Sequence, residues 1–464
     1  MDHQTLNFTQ SVLWIMTPLP GMPRPPILLL LISLLVYYLN GMAGTGPQLM
    51  PDSATYLEWH NLSWQEILSN IRTPGYPWIL SWSASLGGHW WIPAFQYALH
   101  VFSVLLFYSG LRAVLVLPWS AFWIALPLLF TPMLRLYGQT LLSDAPGLSL
   151  GLLSLSLMLW SLGSGRGWWL LAMALAATWL VRPMYLFLIP LLPLLAWLLE
   201  KMIILPHCVR ANRGWMRVAL VALLPFLLYG SLRWLTVDHF GVVSFGGINI
   251  AGIATPMISN ALIPQLPEEV QPLARDILQQ RQLLGLTYPL GRQGSIKYNP
   301  WYNDYNTSIH QVALPAAVAG HGGNTLLANK ALSKLSLAIL KHHPLAYAQW
   351  IMRSMVEAVL TLIRMDPLIQ GLLLLMVLLW LKNLYLSQYG EEEGVITHRS
   401  ILLQQDREYA LVLVALMAVG WFMAGSLEVV LVEPPIERYV MGTGVLLPSL
   451  LMAGCLQLMG VAKK

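Results

Sequence analysis

Charge is scarce in this sequence: 10% of its 464 residues are Asp, Glu, Lys or Arg, while 56% are hydrophobic. A soluble domain needs about a quarter of its residues charged to cover its surface, so a water-exposed globular protein is excluded and an all-α polytopic membrane protein is implied. Cysteine is scarcer still. Cys208 and Cys455 are the only two, and the topology below puts them in a cytoplasmic loop and in the last span, which argues against a structural disulfide. No basic stripe is present of the kind nucleic acid requires, so nucleic acid is not expected as a partner. Walker, GxSxG and HExxH patterns are also missing, which leaves nucleotide hydrolysis and common serine or zinc hydrolase chemistry without support. The first 26 residues lack the basic start, apolar stretch and small-residue cleavage site of a signal peptide and are expected to be retained. The glycosylation triplets at Asn7, Asn61 and Asn306 carry little weight, because such triplets are common by chance.

Long apolar runs are plentiful. A span needs about 20 mostly apolar residues, and ten candidates occur at roughly 26–44, 91–110, 113–131, 144–163, 167–181, 184–204, 216–236, 367–388, 409–430 and 440–460. Backbone groups in lipid must be paired internally, so these segments are expected to be helices. Lys and Arg beside the spans set orientation. With the N-terminus inside, the cytoplasmic loops hold the majority, among them Arg112, Arg166, Lys201, Arg213, Arg217 and Lys382. The short outer loops hold only Arg72, Arg135, Arg182 and Arg438. The expected organisation is an N-terminal transmembrane module, 1–236, whose first outer loop, 41–90, carries the chemistry. A non-cytoplasmic segment follows at 237–343. The remainder, 344–464, is expected to hold an interfacial amphipathic helix over Pro344 to Arg364 and the C-terminal spans. The acidic run Glu391 to Glu393 reads as a solvated loop.

The unusual polar residues gather on one face. Asp52 follows the first span closely, where a carboxylate is partly desolvated and its basicity can be tuned. It suits removal of a proton from a hydroxyl, and it equally suits capping of the helix that starts at Ser53. Arg72, in Arg72-Thr-Pro-Gly-Tyr-Pro77, suits a phosphate, a salt bridge to Glu58 or Glu66, or snorkelling. The prolines make that segment extended or turning, and Gly75 permits tight geometry. Between Asp52 and Arg72 an aromatic helix is expected to set their separation. Asp144 enters the fourth span, where it would favour the helix dipole, yet an Asp at a helix centre costs roughly 2.5 to 3.5 kcal/mol on insertion scales and is seldom idle near lipid. Arg72, Arg135, Arg182 and Arg438 place four guanidinium groups at the same boundary, suited to bidentate phosphate binding or, singly, to membrane anchoring. His321, His342 and His343 show no metal-ligand spacing, so no catalytic metal and no cofactor are expected. The tryptophans fit an interfacial aromatic belt.

Taken in order, PDSATYL at 51–57, RTPGYP at 72–77, LLSDAPG at 141–147, VRP at 181–183, LRWLTVDHFGVVSFGGINIAG at 232–252, KHHPLAYAQW at 341–350 and ERYVMGTGVLLPSL at 437–450 form a pattern. It resembles the bacterial relatives of dolichyl-phosphate-mannose protein mannosyltransferases, within the GT-C superfamily that includes the lipid A aminoarabinose transferase. The resemblance implies a GT-C fold in a bacterial inner membrane, with the active site on the periplasmic side. It also implies a polyprenyl-phosphate sugar donor, a lipid, glycan or protein acceptor, and inverting transfer. Asp52 takes the position of the family's catalytic carboxylate and Asp144 its second acidic position. Arg72, Arg135, Arg182 and Arg438 become candidates for the donor phosphate, and Tyr56, Tyr76, Tyr439 and His343 for substrate binding. The outer segment becomes a candidate lid. Two alternatives stay open: an O-antigen ligase or polymerase using lipid diphosphate glycans, and a transporter or flippase of lipid-linked sugars, which would place polar groups at mid-membrane.

Overall fold

The computed structural model describes residues 24–41, 46–59, 62–115, 117–201, 213–290, 296–389 and 398–459, with side chains for all of these except 386–389 and 398–403. The expectations for the N-terminal residues before Arg24, for Asn7, Asn61 and Cys208, and for Glu391 to Glu393 lie outside the described residues. The chain is helical: among the described residues the only β pairings are isolated bridges, Gln48 with Thr140 and Leu290 with Ile296.

Each of the ten apolar runs holds a helix within its described residues. Among the described residues, seven helices are long and apolar enough to cross a membrane: Ile92–Arg112, Pro118–Tyr137, Asp144–Ser164, Pro183–Lys201, Gly214–Val237, Pro367–Tyr385 and Gln404–Val430. The tenth run is a pair, Glu437–Thr443 and Leu447–Met459, bent by 45°. The bend follows Gly444, against which Leu362 packs so closely that a Cβ there would meet it at 2.5 Å. Two runs give shorter apolar helices, Pro25–Leu39 and Trp168–Val181. The second stops for a local reason. Pro183 excludes helical geometry at the residue before it, and Arg182 is extended, with φ −147° and ψ 106°. The expected interfacial helix forms as Pro344–Met365 and is not among the helices apolar enough to cross.

Small residues bring the bundle together. Ser149, Ser154, Ser156 and Ser161 of Asp144–Ser164 are all buried, and a Cβ on Gly110 of the neighbouring Ile92–Arg112 would lie 2.8 Å from the Ser156 carbonyl. Ser149, Ser154 and Ser156 donate back to carbonyls one turn earlier, so close helix approach leaves those hydroxyls paired.

A second core forms outside the bundle. Ile248, Met257, Ile277, Trp301, Val312, Leu332, Ile339 and Trp350 belong to it, drawn from the 237–343 segment and the start of Pro344–Met365. Buried Arg281 crosses this core, donating to Ser308 Oγ at 2.7 Å and the Thr287 carbonyl at 3.0 Å, and burial lowers its pKa to about 10. The aromatic residues also reach the bundle. Trp350 Nε1 donates to the Val430 carbonyl at 3.0 Å, Tyr347 to Leu431 at 2.7 Å and Tyr305 to Val432 at 2.9 Å.

Candidate active site

Asp52 is placed by backbone contacts between two loops distant in sequence. Gln48 N–H donates to Gln139, and Leu141 N–H donates back to Gln48, both at 2.9 Å. Ser53 Oγ donates to the Leu141 carbonyl at 3.0 Å and accepts from Met50 N–H at 2.9 Å. The Tyr56 and Ser143 hydroxyls pair at 3.0 Å. Beneath them Tyr56, Tyr76, Leu80, Ile92, Leu141, Leu142 and Val181 form a small apolar cluster. The loop that carries Asp52 is thereby seated on the entrance to Asp144–Ser164.

Two guanidinium groups take up both oxygens of Asp52. Arg72 Nη2 donates to Oδ1 at 3.2 Å, and Arg438 Nη1 donates to Oδ2 at 2.8 Å from 386 positions away. No backbone N–H is capped by the Asp52 side chain; Ser53 makes the local turn bond instead. Asp52 and Arg72 are not held apart by the intervening aromatic segment, because short helices at Ala54–Leu57 and Trp64–Ser69 fold the loop back until its two ends touch. Glu66 is occupied in a capping box with Ser63, so the carboxylate beside Arg72 is Asp52. Arg72 is further fixed by Thr55 Oγ1 at 3.0 Å and lies 4.9 Å from the Tyr56 ring centre. Arg438 donates to the Tyr439 hydroxyl at 3.3 Å and lies 5.1 Å from that ring.

Gly75 serves packing rather than unusual backbone torsion, since its φ lies outside the left-handed region. A Cβ there would meet the backbone of Leu180 and Val181 at 2.7 Å. The RTPGYP segment thus lies flush against the end of Trp168–Val181, next to Arg182.

Arg182 closes the opposite wall. Its Nη1 donates to Asp144 Oδ2 at 2.8 Å and to Ser143 Oγ at 3.1 Å, and its guanidinium lies 5.6 Å from the Tyr439 ring centre. Gly147 leaves the room Arg182 needs: a Cβ there would lie 2.8 Å from the Arg182 Cβ. Asp144 also occupies the first turn of its helix, so ion pairing and favourable dipole placement coincide.

These walls enclose a cavity of about 240 Å³ lined by Asp52, Tyr56, Arg72, Ser143, Arg182, Arg438 and Tyr439, together with Asn249, Glu428 and Glu433. Three arginines from three chain segments therefore face one space. Partial burial pushes the Asp52 carboxyl up, but Arg72 and Arg438 more than offset it and hold its pKa below the usual carboxylate value. Glu433 behaves oppositely. Burial raises its pKa, although the Tyr439 hydroxyl and the nearby arginines favour its ionised form. Asn249 Nδ2 donates to Glu433, tying the outer segment to the connection between the last two apolar runs.

Other expected site residues lie elsewhere. Arg135 is exposed and does not line the cavity; the carboxylate that feels its charge is Asp366, whose pKa burial raises and Arg135 partly restores. Tyr76 is fully buried under the first loop, edge-on to Tyr56, and burial pushes its pKa well up. His343 joins Thr325–His342 to Pro344–Met365 outside the cavity lining. Asp144 stands behind Arg182 and is not itself in the lining. Glu433, Asn249 and Ser143 were not legible as site residues. Ser143 lies inside the LLSDAPG motif and Asn249 inside the 232–252 motif, where neither was singled out, and Glu433 stands just before the 437–450 motif. Among the described residues no group of three or more His, Cys, Asp or Glu side chains gathers as a metal site would.

No protein-family model matches the chain, and no curated protein sequence matches it. Among solved structures, the chain is similar to the crystal structure of ArnT from Cupriavidus metallidurans in the apo state, at 14% identity, covering 93% of this chain and 76% of that one with a TM-score of 0.33. A TM-score of that size is too low to carry an argument about fold or chemistry.

Proposed function

We propose that the chain is a GT-C type membrane glycosyltransferase that moves a sugar from a polyprenyl-phosphate donor to an acceptor hydroxyl at the non-cytoplasmic face. The observation that carries this reading is the convergence of Arg72, Arg182 and Arg438 with Asp52 on one cavity at a shared end of the apolar helices. Guanidinium groups bind phosphate oxygens through paired N–H donors, and a site enclosed by low-dielectric helices strengthens such contacts.

The step requires few parts. Asp52 accepts the acceptor hydroxyl proton while that oxygen attacks the anomeric carbon. The bond from that carbon to the phosphate oxygen breaks, and its electron pair leaves with the lipid phosphate. Arginines oriented beforehand stabilise the charge that develops there. Attack opposite the leaving group inverts the anomeric centre. A transporter needs polar groups in the middle of its spans, whereas this cavity is built from helix ends: Ser143 and Arg182 flank helix termini, Glu433 precedes the last bent pair and Arg438 stands in its first turn.

The test is transfer by the full chain in lipid nanodiscs supplied with a polyprenyl-phosphate sugar. Asp52→Asn is expected to lower turnover by about 10²- to 10⁴-fold, the usual contribution of a general base, with folding intact. Near-normal turnover by that variant would remove Asp52 from the role. Competition by lipid diphosphate glycans stronger than by the monophosphate would favour a ligase or polymerase.

A further inference from the structure

We propose that Arg72 and Arg438 hold Asp52 out of action until an anionic phosphate headgroup enters the cavity, draws both guanidinium groups onto its own oxygens and frees the carboxylate. The proposal rests on the glycosyltransferase reading and adds an order to it: donor phosphate first, acceptor deprotonation second.

The geometry poses the problem that this exchange solves. A general base needs an oxygen within about 2.6 to 3.2 Å of the proton it takes. Each Asp52 oxygen already spends one of its two acceptor sites on a cation, at 3.2 Å from Arg72 and 2.8 Å from Arg438. A carboxylate between two cations is also a weak base, because removing a proton from a hydroxyl would replace its stabilised charged form with a neutral one. The same two arginines are the phosphate ligands proposed above, so one pair of cations serves two anions in a single space.

Arg72 and Arg438 are the more exposed of the three arginines. Their side chains remain 24% and 23% exposed to the cavity, unlike that of Arg182 at 10%. Each rests against an aromatic face, Tyr56 for Arg72 and Tyr439 for Arg438, a contact that tolerates sliding of the guanidinium. Arg438 Nε is buried with no partner among the described residues, so a donor is still available for an incoming acceptor oxygen. Arg182 is held more deeply: its carboxylate partner Asp144 is almost fully buried and stands outside the cavity lining, so a headgroup in the cavity does not compete with Asp52 for it. The cavity therefore divides its cations: Arg182 is fixed, whereas Arg72 and Arg438 move between Asp52 and the headgroup. Binding of the donor then creates the base that consumes it, and water reaching the cavity without donor meets a carboxylate already engaged.

Asp52 shares the cavity with Arg72 and Tyr56 from its own loop, Arg182 from the adjoining helix end, and Glu428, Glu433, Arg438 and Tyr439 from the last two runs. The test isolates Asp52 from these by infrared titration of the full chain in nanodiscs. Its carboxyl band is assigned as the one lost in Asp52→Asn, and the titration is run without lipid ligand, with undecaprenyl phosphate and with undecaprenol. Loss of two cation contacts is expected to raise the midpoint by about one unit or more with undecaprenyl phosphate, a roughly tenfold change in proton affinity, and to leave it unmoved with undecaprenol. Binding of undecaprenyl phosphate with an unmoved or lowered midpoint overturns the exchange and leaves the transferase reading standing. Failure of undecaprenyl phosphate to bind overturns both. Arg182→Lys gives the contrasting arm: the shift at Asp52 is retained if Arg72 and Arg438 make the exchange, and its loss would overturn that assignment.

Discussion

Replacing Gly75 with alanine probes how tightly the loop that carries Arg72 is set against the helix that ends before Arg182. The added Cβ would sit 2.7 Å from the Leu180 carbonyl carbon, the Leu180 oxygen and the Val181 nitrogen, whereas ordinary contact begins at 3.4 Å. The segment must therefore withdraw by about 0.7 Å, the difference between those distances, and backbone on the far side cannot swing aside as a flexible side chain would. Overpacking of this kind costs about 1 to 3 kcal/mol. Gly75 is three residues from Arg72, and Val181 adjoins Arg182, so the withdrawal widens the separation between two arginines of the cavity. A misplacement of about 1 Å can cost on the order of 10²-fold in rate, so a loss of roughly 10- to 100-fold in transfer is expected. Thermal unfolding of the purified chain followed by tryptophan fluorescence reads the stability term, and turnover in nanodiscs reads the second. Gly371→Ala is the control, since nothing lies within 4 Å of that position and alanine favours a helix interior by about 1 kcal/mol. A Gly75→Ala protein with the melting temperature and turnover of the parent would refute the close packing.

The Asp144 and Arg182 pair is buried, so Asp144→Asn or Arg182→Gln alone is expected to cost about 3 to 5 kcal/mol, with the double variant costing less than the sum in a denaturation cycle. Additive losses would deny the pairing. Because the folded Asp52 pKa lies below its ordinary value, its contribution to stability is present above about pH 4 and is lost as pH falls through the lowered value. The melting temperature of Asp52→Asn should accordingly approach that of the parent on acidification; a gap that widens instead has the wrong sign. Arg135→Ala should change turnover by no more than about twofold, since that side chain is exposed and outside the cavity. A large loss would place Arg135 in contact with substrate.

The helical scaffold was legible because lipid leaves few options: apolar runs of sufficient length must form helices, and each run did. Counting spans put Arg72, Arg182, Arg438 and Asp52 beside span ends on one side, and the structure brings these four to one cavity. The same reasoning misplaced Arg135. Sharing a membrane face fixes the height of a residue, not the direction in which its side chain leaves the helix, and packing turns Arg135 outward. Partnerships were illegible for a related reason. Nothing in the sequence around position 438 specifies position 52, and whether Asp52 would be cap or ion-pair partner depended on which loop was seated against it. Glu433 was hidden by its surroundings in VEPPIERY, where an acid between a helix end and two prolines reads as an ordinary surface turn.

That turn also explains how an outer segment with its own core can govern a cavity built largely from helix ends. The last carbonyls of a helix have no partners within it and must find donors elsewhere. At the end of His398–Val430 and just beyond, Val430, Leu431 and Val432 receive theirs from Trp350, Tyr347 and Tyr305. Trp350 packs on Trp301 with ring centres 4.9 Å apart, in the middle of the outer core. The next residue after these carbonyls is Glu433, bound to Asn249 of the same outer segment, and five residues further on Arg438 reaches Asp52. A continuous series of contacts therefore runs from the Trp301–Trp350 pair to the end of His398–Val430, and from the residues just beyond it, through Arg438, to Asp52.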